Sequence, residues 1–231
     1  MAARVAIVTG GTGALGQAIV LRLLKDGARV AVPYAVPAEN EALLARVPAP
    51  DRGRLTTEPV DVTDTAAMTT FTDRVAAAWD GMHVLVAAVG GFAGGGLLET
   101  DHALWDRMLR LNLTSAFSAA RAALPHLIRS GSGRVVLVAS RAVLPPIGGF
   151  LAYTVAKAGV VALAQALAQE TRGTGVSVNA VAPSTMDTPA NRAAMPDADR
   201  SGWVSVEAVA DAIAFLCGEG AGHVTGAVLT I

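Results

Sequence analysis

Short runs of β-branched and aliphatic residues alternate along this chain with longer stretches whose apolar positions recur at helical spacing. The runs Val5 to Thr9, Arg29 to Val32, Val84 to Ala88, Arg134 to Ala139 and Val176 to Ala182 are almost uninterrupted in hydrophobicity. Strands buried on both faces read this way, as those of a parallel sheet do. Between them, Leu15 to Asp26, Ala66 to Trp79, His102 to Ile128, Ala152 to Arg172 and Val206 to Cys217 are each long enough for a helix. A further strand is expected to end at Val60 and a last one to run from Ala227 to Ile231. The β-α-β-α order predicts an α/β doubly wound parallel sheet in three layers, formed by a single unit spanning residues 1–231. The stretches Val36 to Asp51 and Pro183 to Ser205 lack a clear period and read as surface loops.

Composition narrows the functional classes. Of 231 residues, 52% are hydrophobic and 16% charged, enough for a large core and too few charges for a disordered chain. The formal net charge of −1 provides no field to gather nucleic acid or an anionic membrane, so neither partner is expected. The segment MAARVAIVTGG lacks the long apolar core of a secretory signal, and charged, Gly or Pro residues interrupt every apolar stretch before bilayer-spanning length. Cys217 is the sole cysteine, which rules out an intrachain disulfide and a cysteine-based metal centre. It reads as a small core residue, and the expected setting is the cytoplasm.

Chemistry first becomes visible between the first strand and the first helix, at Thr9-Gly10-Gly11-Thr12-Gly13-Ala14-Leu15-Gly16. Glycines there allow close approach of a diphosphate to the backbone, and the helix N-terminus offers free N–H groups with partial positive charge. The placement points to a dinucleotide, with Gly10, Thr12, Gly13, Leu15 and Gly16 as candidate contacts. Such sites commonly hold the adenosine ribose with a carboxylate at the end of the second strand. Here that place has Val32-Pro33-Tyr34-Ala35, so neither acid nor base selects between NAD and NADP, and Tyr34 is left to flank the adenine.

The second constellation is Ser140 at the end of a buried strand, Tyr153 thirteen residues on, and Lys157 one helical turn later. Positions i and i+4 share a helix face, so the ammonium is expected beside the phenol, where a cation would favour phenolate. Together with the glycine loop, this pattern resembles the short-chain dehydrogenase/reductase family, over most of the chain. That resemblance implies a Rossmann fold, an NAD or NADP cofactor and hydride exchange with a small-molecule carbonyl or secondary alcohol. It makes Tyr153 the general acid/base and Ser140 the donor to the substrate oxygen. Lys157 would hold the nicotinamide ribose and lower the Tyr153 pKa, and Asn112 in Leu111-Asn112-Leu113 would support a proton relay. It also makes Asp61-Val62 an adenine contact and places Ala88 and Gly90 along the ribose path. Pro183 and Thr188, in and after Asn179-Ala180-Val181-Ala182-Pro183, would lie near the nicotinamide.

This sequence departs from the family pattern at Ala14, where the commonest loop has glycine, and at Ala87-Ala88-Val89-Gly90, where Asn-Asn-Ala-Gly is usual. The segments Gly90 to Gly95 and Asp187 to Trp203 are more narrowly similar to dihydropteridine reductase, but the absent strand-two Asp and the retained Ser140 favour a carbonyl reductase. A non-catalytic dinucleotide sensor is a further reading, disfavoured by the intact Ser140, Tyr153 and Lys157. Finally, Val155, Ala156, Ala158, Val160, Val161, Leu163, Ala164, Ala166, Leu167 and Ala168 surround most of one helix, with Leu109, Leu113, Ala116, Ala119, Ala120 and Ala123 on the one before it. Docking on a sheet needs only one stripe, so the surplus predicts a homodimer or homotetramer.

Overall fold

A computed structural model describes residues 4–231. Seven parallel strands form one sheet in the order β3-β2-β1-β4-β5-β6-β7. They are β1 Val5–Thr9, β2 Arg29–Tyr34, β3 Leu55–Pro59, β4 Val84–Ala87, β5 Arg134–Val138, β6 Ser177–Ala182 and β7 Val228–Thr230. From β1 the chain winds outward through β2 and β3, then returns to lay β4 against the other side of β1, in register Thr9 with Ala87. This reversal leaves a crevice at the carboxyl ends of β1 and β4, the usual ligand position in open sheets of this kind.

Because successive strand residues face opposite sides, Val5 and Ile7 enter one core and Ala6 and Val8 the other. The first core is covered by α3 Thr65–Ala78, α5 Ser115–Ser130 and α6 Leu151–Glu170. The second is covered by α1 Ala14–Lys25, α2 Pro37–Arg46 and α8 Val206–Cys217. Asn179 ties β6 to the chain leading into β7: its amide donates to the Val224 carbonyl at 2.7 Å and its side-chain oxygen accepts from Ala227 N–H at 3.0 Å.

The structure corrects the sequence reading in four places. The stretch after β2 is not a loop: Pro37 occupies the start of α2, and Leu43 and Val47 anchor the segment in the second core. The stretch Pro183 to Ser205 contains the short helix α7 Pro189–Ala194, capped by Thr188, whose Oγ1 accepts from Asn191 N–H. The helix expected from His102 to Ile128 is two helices, α4 His102–Leu109 and α5, joined by a π-helical turn Arg110–Thr114. Periodicity cannot reveal one inserted residue when both flanks are amphipathic.

The fourth correction concerns the apolar surplus. Although α6 is long and apolar enough by composition to cross a bilayer, it packs on the sheet through Ala152, Ala156, Val160, Ala164 and Ala168. On α5, Ala116, Ala119, Ala120 and Ala123 are likewise core. The unpartnered apolar positions are instead Val155, Ala158, Ala162 and Ala166 on α6, with Phe117 and Ile128 on α5.

Candidate active site

The loop from β1 to α1 is shaped by contacts that exclude side chains. A Cβ on Gly16 would fall 1.9 Å from the Gly10 carbonyl oxygen, and one on Gly10, at φ +70°, would fall 2.7 Å from the Ala88 backbone. At Gly13 the nearest atom to such a Cβ is 3.5 Å away, so this glycine leaves room instead of relieving a clash. Gly13 is also the N-cap of α1 and supplies no side-chain cap, and the first turn carries no acidic residue. The leading N–H groups of α1 are therefore unspent and face an open approach, which fits a bound diphosphate.

This loop forms one wall of a cleft of about 1160 Å³ at the switch point. Of the candidate cofactor contacts, Gly10, Thr12, Gly13, Tyr34, Asp61, Val62, Ala88 and Gly90 line it. Leu15 and Gly16 do not: the Leu15 side chain lies in the second core and Gly16 packs under Gly10. Asp61 is less free than the sequence suggested. One carboxylate oxygen accepts from Thr63 N–H and Oγ1 at 2.8 and 2.7 Å, and the other from Arg110 at 3.2 Å. The Thr63 hydrogen bonds, aided by the Arg110 charge, hold its pKa below the usual carboxylate range.

Sequence reasoning missed several polar residues of this cleft: Thr63, Asp106, Arg107 and Arg110, and, beside the phosphate loop, Glu39. Glu39, in the first turn of α2, lines the cleft and accepts a hydrogen bond from Thr12 Oγ1 at 3.1 Å. The available signal was Pro37 followed by Ala-Glu-Asn-Glu, a proline and acids where a helix begins.

Beyond the cleft, at the ends of β4 and β5, the second constellation converges. The π-helical turn buries Asn112, whose amide donates to the carbonyls of Gly91 at 3.0 Å and Met108 at 3.1 Å, while its side-chain oxygen accepts from Gly91 N–H at 3.2 Å. Lys157, wholly buried on α6, donates to the Val138 carbonyl at 2.8 Å. A Cβ on Gly90 would sit 2.8 Å from Asn112 Oδ1 and 3.2 Å from Lys157 Nζ, so the missing side chain keeps these two polar groups within reach of one space. Burial pushes the Lys157 ammonium down to about 8.

Tyr153 and Ser140 meet on the same side. The phenol pKa is raised, chiefly by burial, with interaction with the Ser140 hydroxyl pulling the other way. Lys157 is not among the groups that shift it: its ammonium turns toward the Val138 carbonyl. Cys217 lies apart, buried at the end of α8, and burial pushes its thiol up to about 12, as suits a core residue.

Three loops frame Tyr153. Gly95 N–H donates to the Gly149 carbonyl at 2.8 Å and Leu151 N–H to the Gly95 carbonyl at 2.9 Å, which stitches the glycine-rich segment after β4 to the start of α6. This brings Phe92 edge-on to Tyr153, with ring centroids 5.1 Å apart, and beside Phe150 at 5.5 Å. Phe92 is 66% exposed and Ile147 57%. The segment after β6 is held back on itself by Asp187 N–H to the Val204 carbonyl and by the ion pair of Asp187 with Arg192. Pro183 and Thr188 lie along this segment, both buried and neither lining the cleft.

A switch-point cleft with an uncapped helix N-terminus, beside a Ser, Tyr and Lys cluster, defines a nucleotide-dependent oxidoreductase. The chain matches the short chain dehydrogenase family over residues 4–199. It is 36% identical over its full length to a cis-4-hydroxycyclohexanecarboxylate dehydrogenase of Sinomonas cyclohexanicum, covering 95% of that protein. It is 27% identical to the 3-oxoacyl-[acyl-carrier-protein] reductase FabG of Escherichia coli, covering 99% of this chain and 95% of that one. The solved structure of levodione reductase superposes with a TM-score of 0.91 at 27% identity, over 99% of this chain and 95% of the other. The chain belongs to the short-chain dehydrogenase/reductase family: it is an NAD(P)-dependent oxidoreductase acting between carbonyl and secondary alcohol.

Proposed function

We propose that this enzyme interconverts a ring-bearing ketone and its secondary alcohol, with the substrate ring held against Phe92 and Phe150 and its oxygen between Ser140 and Tyr153. The observation that carries this reading is the aromatic contact itself: the phenol that would meet the substrate oxygen forms one corner of an apolar wall in which Phe92 is largely open and Phe150 half-buried. Cyclic substrates also appear in the names of two relatives, the Sinomonas enzyme and a 2,5-dichloro-2,5-cyclohexadiene-1,4-diol dehydrogenase of Sphingobium indicum, 28% identical over this whole chain.

The nicotinamide, when bound, supplies or accepts hydride at the carbonyl carbon. Ser140 donates a hydrogen bond to the substrate oxygen, fixing it within reach of Tyr153. In the reductive direction Tyr153 gives its phenolic proton to that oxygen, and its raised pKa keeps the proton in place at neutral pH. Lys157 presents its buried ammonium to the ribose hydroxyls, and Asn112, locked to Gly91, shapes the path by which the phenol is reprotonated. Spectrophotometric assay of 4-substituted cyclohexanones and cyclohexanols against linear 3-oxoacyl thioesters, with both cofactors, tests the proposal. Preference for the ring compounds is expected; turnover confined to the thioesters would overturn it.

We also infer a homodimer or homotetramer formed through the exposed apolar positions of α5 and α6. Light scattering should return a multiple of the 23.4 kDa chain, and Ala162→Glu or Ala166→Glu should yield a folded monomer. A wild-type mass of one chain would end this reading.

A further inference from the structure

We propose that Glu39 selects the cofactor, acting from α2 as the carboxylate that β2 lacks and making the enzyme prefer NAD(H) to NADP(H). The inference rests on the dinucleotide lying in the cleft described above. In dinucleotide folds the acid that receives the adenosine ribose 2′-hydroxyl stands at the end of the second strand, where this chain has Tyr34 and Ala35. The cleft wall at that end is Tyr34, Ala35, Val36 and Glu39, next to the phosphate loop. Glu39 is fixed there by the hydrogen bond from Thr12 Oγ1 at 3.1 Å, which occupies one oxygen and leaves the other to accept from a ligand.

A 2′-phosphate would bring up to two further negative charges to this corner. Among the described residues no lysine lines the cleft, and the two arginines that do, Arg107 and Arg110, both come from the α4 side; Arg110 is already paired with Asp61. Arg46, at the end of α2, donates to the side chain of Gln17 and does not line the cleft. Pro37 at the start of α2 has no N–H, so that helix end has one donor fewer for a phosphate. A free 2′-hydroxyl, by contrast, gains an acceptor.

Direct fluorescence titration of NADH and NADPH tests this without turnover. Wild type is expected to bind NADH about tenfold more tightly, the scale for a phosphate beside a hydrated carboxylate. Glu39→Gln keeps an oxygen for Thr12 and removes only the charge, so it should tighten NADPH and bring the ratio to within about threefold. Glu39→Arg should invert it. If Glu39 merely supports the loop, Glu39→Gln will weaken both cofactors equally and leave their ratio unchanged, which overturns the proposal. A wild-type preference for NADPH does the same. If neither nucleotide titrates, the cleft is not the cofactor site, and the underlying reading fails with the inference.

Discussion

The two halves of the site are built by opposite means. In the phosphate loop, Gly16 and Gly10 touch backbone so closely that no other residue fits, and the loop has essentially one shape. Around Tyr153, a Cβ on Gly148 meets nothing within 4 Å, and Phe92 stands largely in solvent. A close-packed turn specifies a ligand common to many enzymes. An open rim held by a few backbone hydrogen bonds accommodates differences between substrates, because rim residues can change without cost to the core.

The sharpest challenge to this comparison lies at its meeting point. Tyr153→Phe keeps the ring and its packing on Phe92 but removes the proposed proton donor, so turnover should fall by a factor of about 10² to 10⁴. NADH affinity, measured by fluorescence, should stay near wild type; an active Tyr153→Phe enzyme would remove the residue from its assigned role.

The next effect contrasts two glycines. Gly16→Ala places a methyl group into the Gly10 carbonyl and should abolish nucleotide binding and lower Tm by several degrees, consistent with an overpacking cost of about 1–3 kcal/mol. Gly148→Ala should change Tm by less than about one degree. Equal behaviour of the two variants would break the distinction between a steric half and an open half.

The pH dependence sharpens the comparison. Because burial raises the Tyr153 pKa, the phenol holds its proton to higher pH than a free tyrosine. Reduction should therefore be flat through neutrality and decline only under alkaline conditions. Oxidation, which needs the ionised form, should rise up to about tenfold per pH unit over the same range. Oxidation that plateaus near pH 7 would show that the bound cofactor reverses the burial effect. The smallest effect is expected at the rim, where Phe92→Ala should raise KM for a cyclic ketone about tenfold while kcat changes little.

How legible each half was follows from the same difference. The strands, the phosphate loop and the Ser140, Tyr153 and Lys157 set could be read because buried parallel strands, an obligatory glycine turn and an i, i+4 pair each leave a local pattern. Glu39 was not legible, since α2 is short, weakly periodic and mostly exposed, and only folding brings its first turn over Thr12. The direction of the Lys157 side chain depended on the position of the Val138 carbonyl, nineteen residues away in sequence. The buried face of α6 was not legible because nearly every position on that helix is apolar, so hydrophobicity alone could not tell Ala164, in the core, from Ala162, on the surface.

The turn at Arg110–Thr114 acts as a phase shifter between two rotational settings. In a regular helix each residue advances the direction of its side chain by about 100°, and a π-helical turn amounts to one extra residue inserted into that count. Upstream of it, Asp106 and Arg107, with Arg110 at its first position, are set toward the nucleotide cleft; downstream, Ala119 and Ala123 are set toward the sheet. Both settings hold at once only because the count is broken at Asn112. Removing one residue there would leave a continuous helix of good composition but swing one half by roughly a quarter turn, either lifting α5 from the sheet or turning the wall of the cleft away. For this segment, length is under tighter constraint than the chemistry of most of its side chains.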